Sequence, residues 1–407
     1  MSKFLCDLPW IHFSIFPHGT TSVCCEANHD QAIGHGYNLT ENNEKKLLGI
    51  KDNAISDIVN SDNYKRIRRE MLAGVVPDAC QGCKKIEDSG GKSKRIKDSQ
   101  WMEDWASKTA IDGSITPDIR SLELRLGNHC NLKCRSCNAE SSTLWISDYN
   151  AIKNQLPLAS NYDNIKSQDI YSFDWPESDK FYDDLEQYID NLDELHISGG
   201  EPFLVPKHFR LLELLHKQGR TDIRIGYHTN LTYDIERIRP ALEILQDFKN
   251  VRFNCSIDDV ADRNSYIRNP AKWDQTIGNL KTFKNEYSNI FLIVCQTVNA
   301  YNFMYIEQLY NFLQENDLDV YHYFNHVHSP NYQTAYILPP DVRSKKLASI
   351  ENMLPERQFS DLKGRYNNDV YYDKSVETFL KFTTALDSRR NENWKVVFPD
   401  LAEVLNA

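Results

Sequence analysis

From Ser121 onward, short apolar runs alternate with stretches in which apolar residues recur every three or four positions. The runs Ser121–Leu126, Glu194–Ser198, Ile223–Thr229, Val251–Ile257, Phe291–Val298 and Val320–Phe324 predict strands. The periodic stretches predict helices over His208–Gln218, Ile238–Phe248, Trp273–Tyr287 and Tyr305–Gln314. In the first of these, Leu211, Leu212, Leu214 and Leu215 make one apolar face, and Gly219 stands where a helix C-cap is expected. Strands separated by helices predict a parallel sheet or barrel. Six such units stop two short of a closed eight-stranded barrel. The fold class expected is therefore α/β, a partial (β/α)6 TIM-type barrel.

The flanks read differently. Residues 1–110 hold five of the ten cysteines and little long-range periodicity, and the polar stretch Lys92–Asp112 reads as a linker with some helix. Glu140–Asp190 is a long aromatic insertion after the first strand, with helices of its own expected. Residues 331–407 predict a mostly helical tail, around Val342–Met353 and Ser375–Asp387. The expected division is 1–110, a cysteine-rich module and linker; 111–330, the partial barrel; and 331–407, a C-terminal extension.

Composition narrows the function classes. A chain of 407 residues, 41% hydrophobic, can bury a core without disulfide staples. Its 47 basic against 58 acidic residues give a net charge of −11, which argues against a nucleic-acid binder. The basic clusters Lys65–Arg69 and Lys92–Lys97 read as solvated helix or linker surface. No run of about 18 apolar residues predicts a membrane span. The apolar start Phe4–Phe16 is interrupted by Asp7, Pro9 and His12, which argues against a signal peptide and for a cytoplasmic chain. In a reducing compartment, ten cysteines point to metal or redox chemistry rather than a disulfide framework.

Leu124–Cys137 reads LRLGNHCNLKCRSC, so Cys130, Cys134 and Cys137 are spaced C-x3-C-x2-C directly after a predicted strand. Three thiolates on one short loop can hold three corners of an iron–sulfur cube and leave the fourth iron open to a small molecule. A structural zinc is the alternative, but it needs a fourth closed ligand, and only His129 lies nearby.

This spacing at the end of a first strand resembles the radical S-adenosylmethionine (SAM) superfamily. The resemblance implies a [4Fe-4S] cluster whose open iron chelates the amino and carboxylate groups of SAM. It also implies reductive cleavage of SAM to methionine and a 5′-deoxyadenosyl radical that abstracts hydrogen from a substrate. Ser198-Gly199-Gly200-Glu201-Pro202, ending the second predicted strand, is similar to the family's GGEP motif, and so assigns Gly199, Gly200 and Glu201 to the SAM amino group. Ser256, ending the fourth, occupies the position of a ribose-binding serine, and Arg268 resembles the arginine that pairs with the SAM carboxylate. One departure stands out: where the family often carries an adenine-stacking aromatic residue before the third cysteine, this chain has Ser136.

Upstream, Cys6, the spacing Gly19-x4-Cys24, and Cys80-Gln81-Gly82-Cys83 resemble the SPASM/twitch auxiliary cluster module, here placed before the barrel. Four thiolates from Cys6, Cys24, Cys80 and Cys83 would fully ligate a second [4Fe-4S] cluster. The same four could hold a structural zinc. Cys24 and Cys25 are adjacent and cannot both face one site from an extended strand; the glycine spacing selects Cys24. Cys255 and Cys295 lie inside predicted strands and read as buried small hydrophobes.

The substrate implied is a peptide or protein side chain, as in many SPASM relatives. The alternative is a small alcohol, sugar or nucleoside that is oxidised or epimerised. The chemistry requires a one-electron reductant such as flavodoxin or ferredoxin. A non-catalytic iron–sulfur electron carrier or scaffold is the alternative of another class, but it leaves the GGEP motif and Ser256 without a task.

Overall fold

The computed structural model describes residues 4–28, 33–98, 101, 103–158, 160, 162–167 and 172–406. Eight of ten strands belong to one mostly parallel sheet. They are β1 (His12–Ile15), β2 (Thr21–Ser22), β5 (Ser121–Leu126), β6 (Glu194–Gly199), β7 (Arg224–Thr229), β8 (Asn250–Ser256), β9 (Ile290–Val298) and β10 (Tyr321–His326). The remaining two, β3 (Tyr37–Leu39) and β4 (Lys45–Leu47), form a separate antiparallel pair. Each of the six runs read from the sequence is a strand, displaced by two residues at most. The four helices also form, at Phe209–Lys217, Ile235–Gln246, Trp273–Glu286 and Gln308–Glu315.

The chain divides into two compact units. The first comprises residues 1–128, 162–227 and 240–251. Within it β1 pairs parallel with β5 and antiparallel with β2, and β5 continues parallel into β6. The cysteine-rich segment thus contributes a strand to the same sheet, in the register His12↔Ser121 through Ile15↔Leu124. Phe13, Leu122 and Leu195 share one fully buried face of these strands, with Ile15, Leu124 and Ile197 in the next row. The alternate face is polar, with Ser14, Glu123 and His196 in one row. A sheet covered on both sides usually reads as continuous apolar runs, so a polar second face departs from that pattern.

One expectation is corrected in this unit. The helix Asp62–Leu72 carries the basic cluster Lys65–Arg69, read above as solvated surface, yet Arg68 is wholly buried. Its guanidinium donates to the carbonyl oxygens of Gly113, Pro9 and Val59 at 2.8, 2.9 and 2.7 Å. Burial alone lowers its pKa to about 10, which leaves it charged at neutral pH. The three carbonyls replace the water it loses.

The second unit comprises residues 129–161, 228–239 and 252–407. It holds β9 and β10, which pair parallel from Tyr321↔Ile293 to His326↔Val298, and most of β8. The helical tail expected from the sequence forms at Pro340–Ile350, Glu356–Tyr366 and Asp373–Arg390. Cys255 and Cys295 are buried inside β8 and β9. Among the described residues, no helix is long and apolar enough to cross a membrane.

Candidate functional site

Cys130, Cys134 and Cys137 lie on the loop that follows β5, in the second unit, and none of the three is in a disulfide. The loop is held by its own backbone. Lys133 N–H donates to Asn269 O at 2.6 Å, Arg135 N–H to Ile267 O at 2.7 Å, and Gln333 Nε2 to Arg135 O at 2.9 Å. The Leu132 amide and Asn230 Nδ2 reach the Cys130 sulfur at 3.4 and 3.8 Å. Trp145 Nε1 donates to Cys134 O at 2.7 Å.

Arg135, between the second and third cysteines, is the strongest anchor. It is fully buried, its Nη2 lies 2.5 Å from Asp387 and 2.6 Å from Glu392, and its guanidinium stands 3.7 Å over the Tyr266 ring. Both carboxylates come from the C-terminal segment, more than 250 residues away in sequence. The extension read only as a helical tail therefore fixes the cysteine loop.

Arg268 sits beside this loop. Its Nη1 is 2.9 Å from Asp258 Oδ2, and its Nε has no hydrogen-bond partner among the described residues. Burial works against its charge, but Cys134, Asp258 and Cys130 raise its pKa overall. In return Arg268 offsets part of the burial that raises Cys134, while Cys137 is pushed up to about 12 by burial and by Cys134. Asp258, two residues beyond Ser256, is the hub here. It accepts from Thr297 N–H at 2.9 Å, and its carbonyl accepts from Gln296 Nε2 and Asn302 Nδ2. Its task as the holder of an arginine was hidden because Arg268 and Thr297 converge on it only in the fold. Ser256, at the end of β8, belongs to the same unit.

Gly199, Gly200 and Glu201 belong to the first unit, at the end of β6. Gly199 has φ +130°, and a Cβ there would stand 2.5 Å from the Leu126 backbone nitrogen. Close strand approach therefore already requires this glycine, whatever it binds. Glu201 is buried, and its carboxylate accepts from Phe203 N–H at 3.3 Å.

The upstream cysteines converge within the first unit. Cys6, Cys24, Cys80 and Cys83 line one cavity, together with apolar residues that include Val23 and Met71. Gly19 has φ +85° in the turn between β1 and β2, the left-handed conformation that glycine adopts without strain, and β2 then delivers Cys24. Cys25 does not line that cavity; a hydrogen bond with Cys24 lowers its thiol pKa, against burial. Burial pushes the Cys6 thiol up to about 12 and raises Cys80 as well.

Among the described residues, no group of His, Cys, Asp or Glu is close enough to hold a single metal ion. Three thiols stand on one anchored loop, and four line one cavity that Glu26 and Arg95 also reach. Soft sulfur donors in these numbers fit iron–sulfur chemistry in both places.

Residues 124–313 match the radical SAM superfamily model, and residues 6–84 match the SPASM model, an iron–sulfur cluster-binding domain. The chain carries a radical SAM domain and, ahead of it, a SPASM domain. The radical SAM domain implies a [4Fe-4S] cluster and SAM, and the SPASM domain implies an auxiliary iron–sulfur cluster. The domain order read from the sequence, SPASM before the barrel, is the order of the two matches.

Similar solved structures include native anSMEcpe with bound AdoMet, at 17% identity over 63% of this chain and 65% of that one, with a TM-score of 0.40. The same protein with bound AdoMet and the Kp18Cys peptide gives 17% identity over 65% and 67%, with a TM-score of 0.39. Streptococcus suis SuiB bound to S-adenosylmethionine gives 14% identity over 94% and 69%, with a TM-score of 0.32. The chain spans just under two thirds of the first of these, 65% of its length. No curated protein sequence matches the chain.

Proposed function

We propose that this radical SAM enzyme binds SAM at a cluster held by Cys130, Cys134 and Cys137, and abstracts hydrogen from a peptide or protein side chain. The observation that carries the reading is the anchored three-cysteine loop with the Arg268 guanidinium beside it, its Nε without a partner among the described residues. With cluster and SAM bound, one electron delivered through the cluster cleaves SAM to methionine and a 5′-deoxyadenosyl radical, which takes hydrogen from the substrate.

The chain's own residues supply position and charge. Arg268, oriented by Asp258, offers its remaining N–H groups to the SAM carboxylate, a task that suits a forked guanidinium. Asn230 and the Leu132 amide aim N–H groups at the Cys130 sulfur, which stabilises a thiolate there. Gly199–Glu201 receive the SAM amino group and Ser256 the ribose. Ser136 and Cys137 line a cavity with Pro330, Tyr332 and Trp145, and we assign adenine packing to those three side chains in place of the missing aromatic residue.

Cys6, Cys24, Cys80 and Cys83 hold the auxiliary cluster, with Cys25 outside the set. The peptide reading rests on the SPASM domain; oxidation or epimerisation of a small alcohol, sugar or nucleoside is the alternative. Two oxygen-sensitive clusters and a one-electron donor such as flavodoxin or ferredoxin suit the reducing cytoplasm.

Arg268→Ala is expected to weaken SAM binding by about 1.5–3 kcal/mol, the range for hydrogen bonds to charged groups. Arg268→Lys should recover only part of it, because an ammonium lacks the fork. Equilibrium binding of SAM to the reconstituted protein checks this. Equal affinity in wild type and Arg268→Ala would remove Arg268 from the site.

A further inference from the structure

A cavity of about 680 Å³ belongs to none of the groups described above. It lies in the second unit, along the first half of β10 and the helix Glu356–Tyr366. Phe291, Tyr310, Tyr321, Tyr323 and Phe324 give it an aromatic lining. Phe291 and Tyr321 are 57% and 41% exposed, with ring centroids 6.5 Å apart, and so form a contiguous aromatic patch at its mouth. The lining comes from the N-terminal halves of β9 and β10, whereas barrel chemistry sits at the C-terminal ends of strands. The volume falls in the range of ligand sites, roughly 300–1,000 Å³.

What fits there follows from the backbone. β10 is the last strand of the sheet and pairs on one side only, with β9. Val327 N–H bonds to Val298 O at 3.0 Å, so alternation turns the odd-numbered backbone groups of β10 toward β9 and those of His322 and Phe324 outward. The outward His322 carbonyl takes a hydrogen bond from Gln358 Nε2 at 2.6 Å, as an edge covered by a side chain would. The outward N–H and C=O of Phe324, in the cavity wall, have no such cover among the described residues. The lining charges are mixed, with Asp319 and Asp361 against Arg357, and so select for neither sign.

We propose that this cavity docks an extended, apolar peptide segment, which pairs with the open backbone of Phe324, between the covered His322 carbonyl and the His326 N–H that Asn325 Oδ1 caps at 3.0 Å, and sets its side chains among the aromatic rings. Main-chain pairing supplies the affinity and the rings the preference, the mode by which sheet edges recognise peptides. The inference rests on the peptide reading for its biological occupant: the segment would belong to the substrate, held away from the residue being modified.

The test uses a phage-displayed library of random seven-residue peptides, selected on the full-length reconstituted protein, and does not use SAM turnover. A failure here is therefore distinguishable from a failure of the SAM chemistry. Selected peptides are expected to be apolar and to bind the doubly substituted Phe291→Ser, Tyr321→Ser protein at least tenfold more weakly than wild type. Both rings are exposed, so the variant should keep its fold, which circular dichroism checks. Synthetic copies with one N-methylated backbone amide should also lose at least tenfold when the methyl falls on the strand-pairing side. Three results would overturn the proposal: no enrichment, equal binding to wild type and variant, or indifference to N-methylation at every position. Concentration-dependent dimers of wild type, absent in the variant, would do so as well, by making a second copy the occupant.

Discussion

Replacing Cys130, Cys134 and Cys137 together by alanine is expected to abolish SAM cleavage and to halve the iron, from about eight to about four per chain after anaerobic reconstitution. The loss of cleavage is complete because nothing else on the loop can supply a soft ligand; its remaining polar side chains, such as Asn131 and Lys133, are engaged in the unit that holds it. The iron that remains should be the auxiliary cluster, and adding SAM should leave its electron paramagnetic resonance signal unchanged, since four cysteines leave no iron open. Cys24→Ala should show the reverse pattern, losing about four irons from the auxiliary site. Cys25→Ala should keep both clusters, because Cys25 lies outside the cavity that Cys6, Cys24, Cys80 and Cys83 line. Iron analysis and the reduced spectra read all three variants. A triple variant that holds one zinc and no iron would assign the upstream cysteines to a structural metal.

The second large effect is on stability. Arg135→Met is expected to cost about 3–5 kcal/mol, because it strands the buried Asp387 and the half-buried Glu392 without their cation. Asp387 also accepts from Tyr266 Oη and the Trp394 amide at 2.6 and 2.7 Å, so it cannot turn out to water without breaking the packing around it. Arg135→Lys should recover part of the loss, since an ammonium keeps the charge but not the flat stack over Tyr266. Urea unfolding of the full chain measures this. The cysteine loop should loosen with the anchor, so Arg135→Met should also retain iron poorly at the three-cysteine site. A cost below about 1 kcal/mol, the scale of an exposed pair, would show that the C-terminal segment does not fix the loop.

Much of this architecture was legible in the sequence, and the exceptions have physical reasons. The six strands announced themselves because each is an apolar run, or an alternation with one buried face, between helices with a clear apolar face. β1 did not: it has only four residues, and His12 and Ser14 sit on the polar face of the sheet, so it reads as neither an apolar run nor an amphipathic helix. Its place beside β5 is a contact across about a hundred residues, which no local pattern records. Arg68 was misread for a related reason: a basic run reads as solvent-facing, and the three carbonyls that bury it come from separate segments.

The site divides in the same way. Cysteine spacing is a local signal, and adjacency alone says that Cys24 and Cys25 cannot share a target. The supports are long-range. Asp387 and Glu392 look like ordinary helix-end acids, Asp258 like a turn residue, and Asn230 like a loop cap, until the fold brings each to the loop or its arginine. Gly199 was read as room for a ligand; the structure adds that a neighbouring strand already demands it.

The most direct test of the central claim is the wild-type protein itself, reconstituted with iron and sulfide, reduced with dithionite without oxygen, and incubated with SAM. Mass spectrometry should find 5′-deoxyadenosine and methionine accumulating together in equal amounts, at least slowly, even without added substrate. Protein that holds its full iron and leaves SAM intact, with no 5′-deoxyadenosine above an unreduced control, would contradict the account.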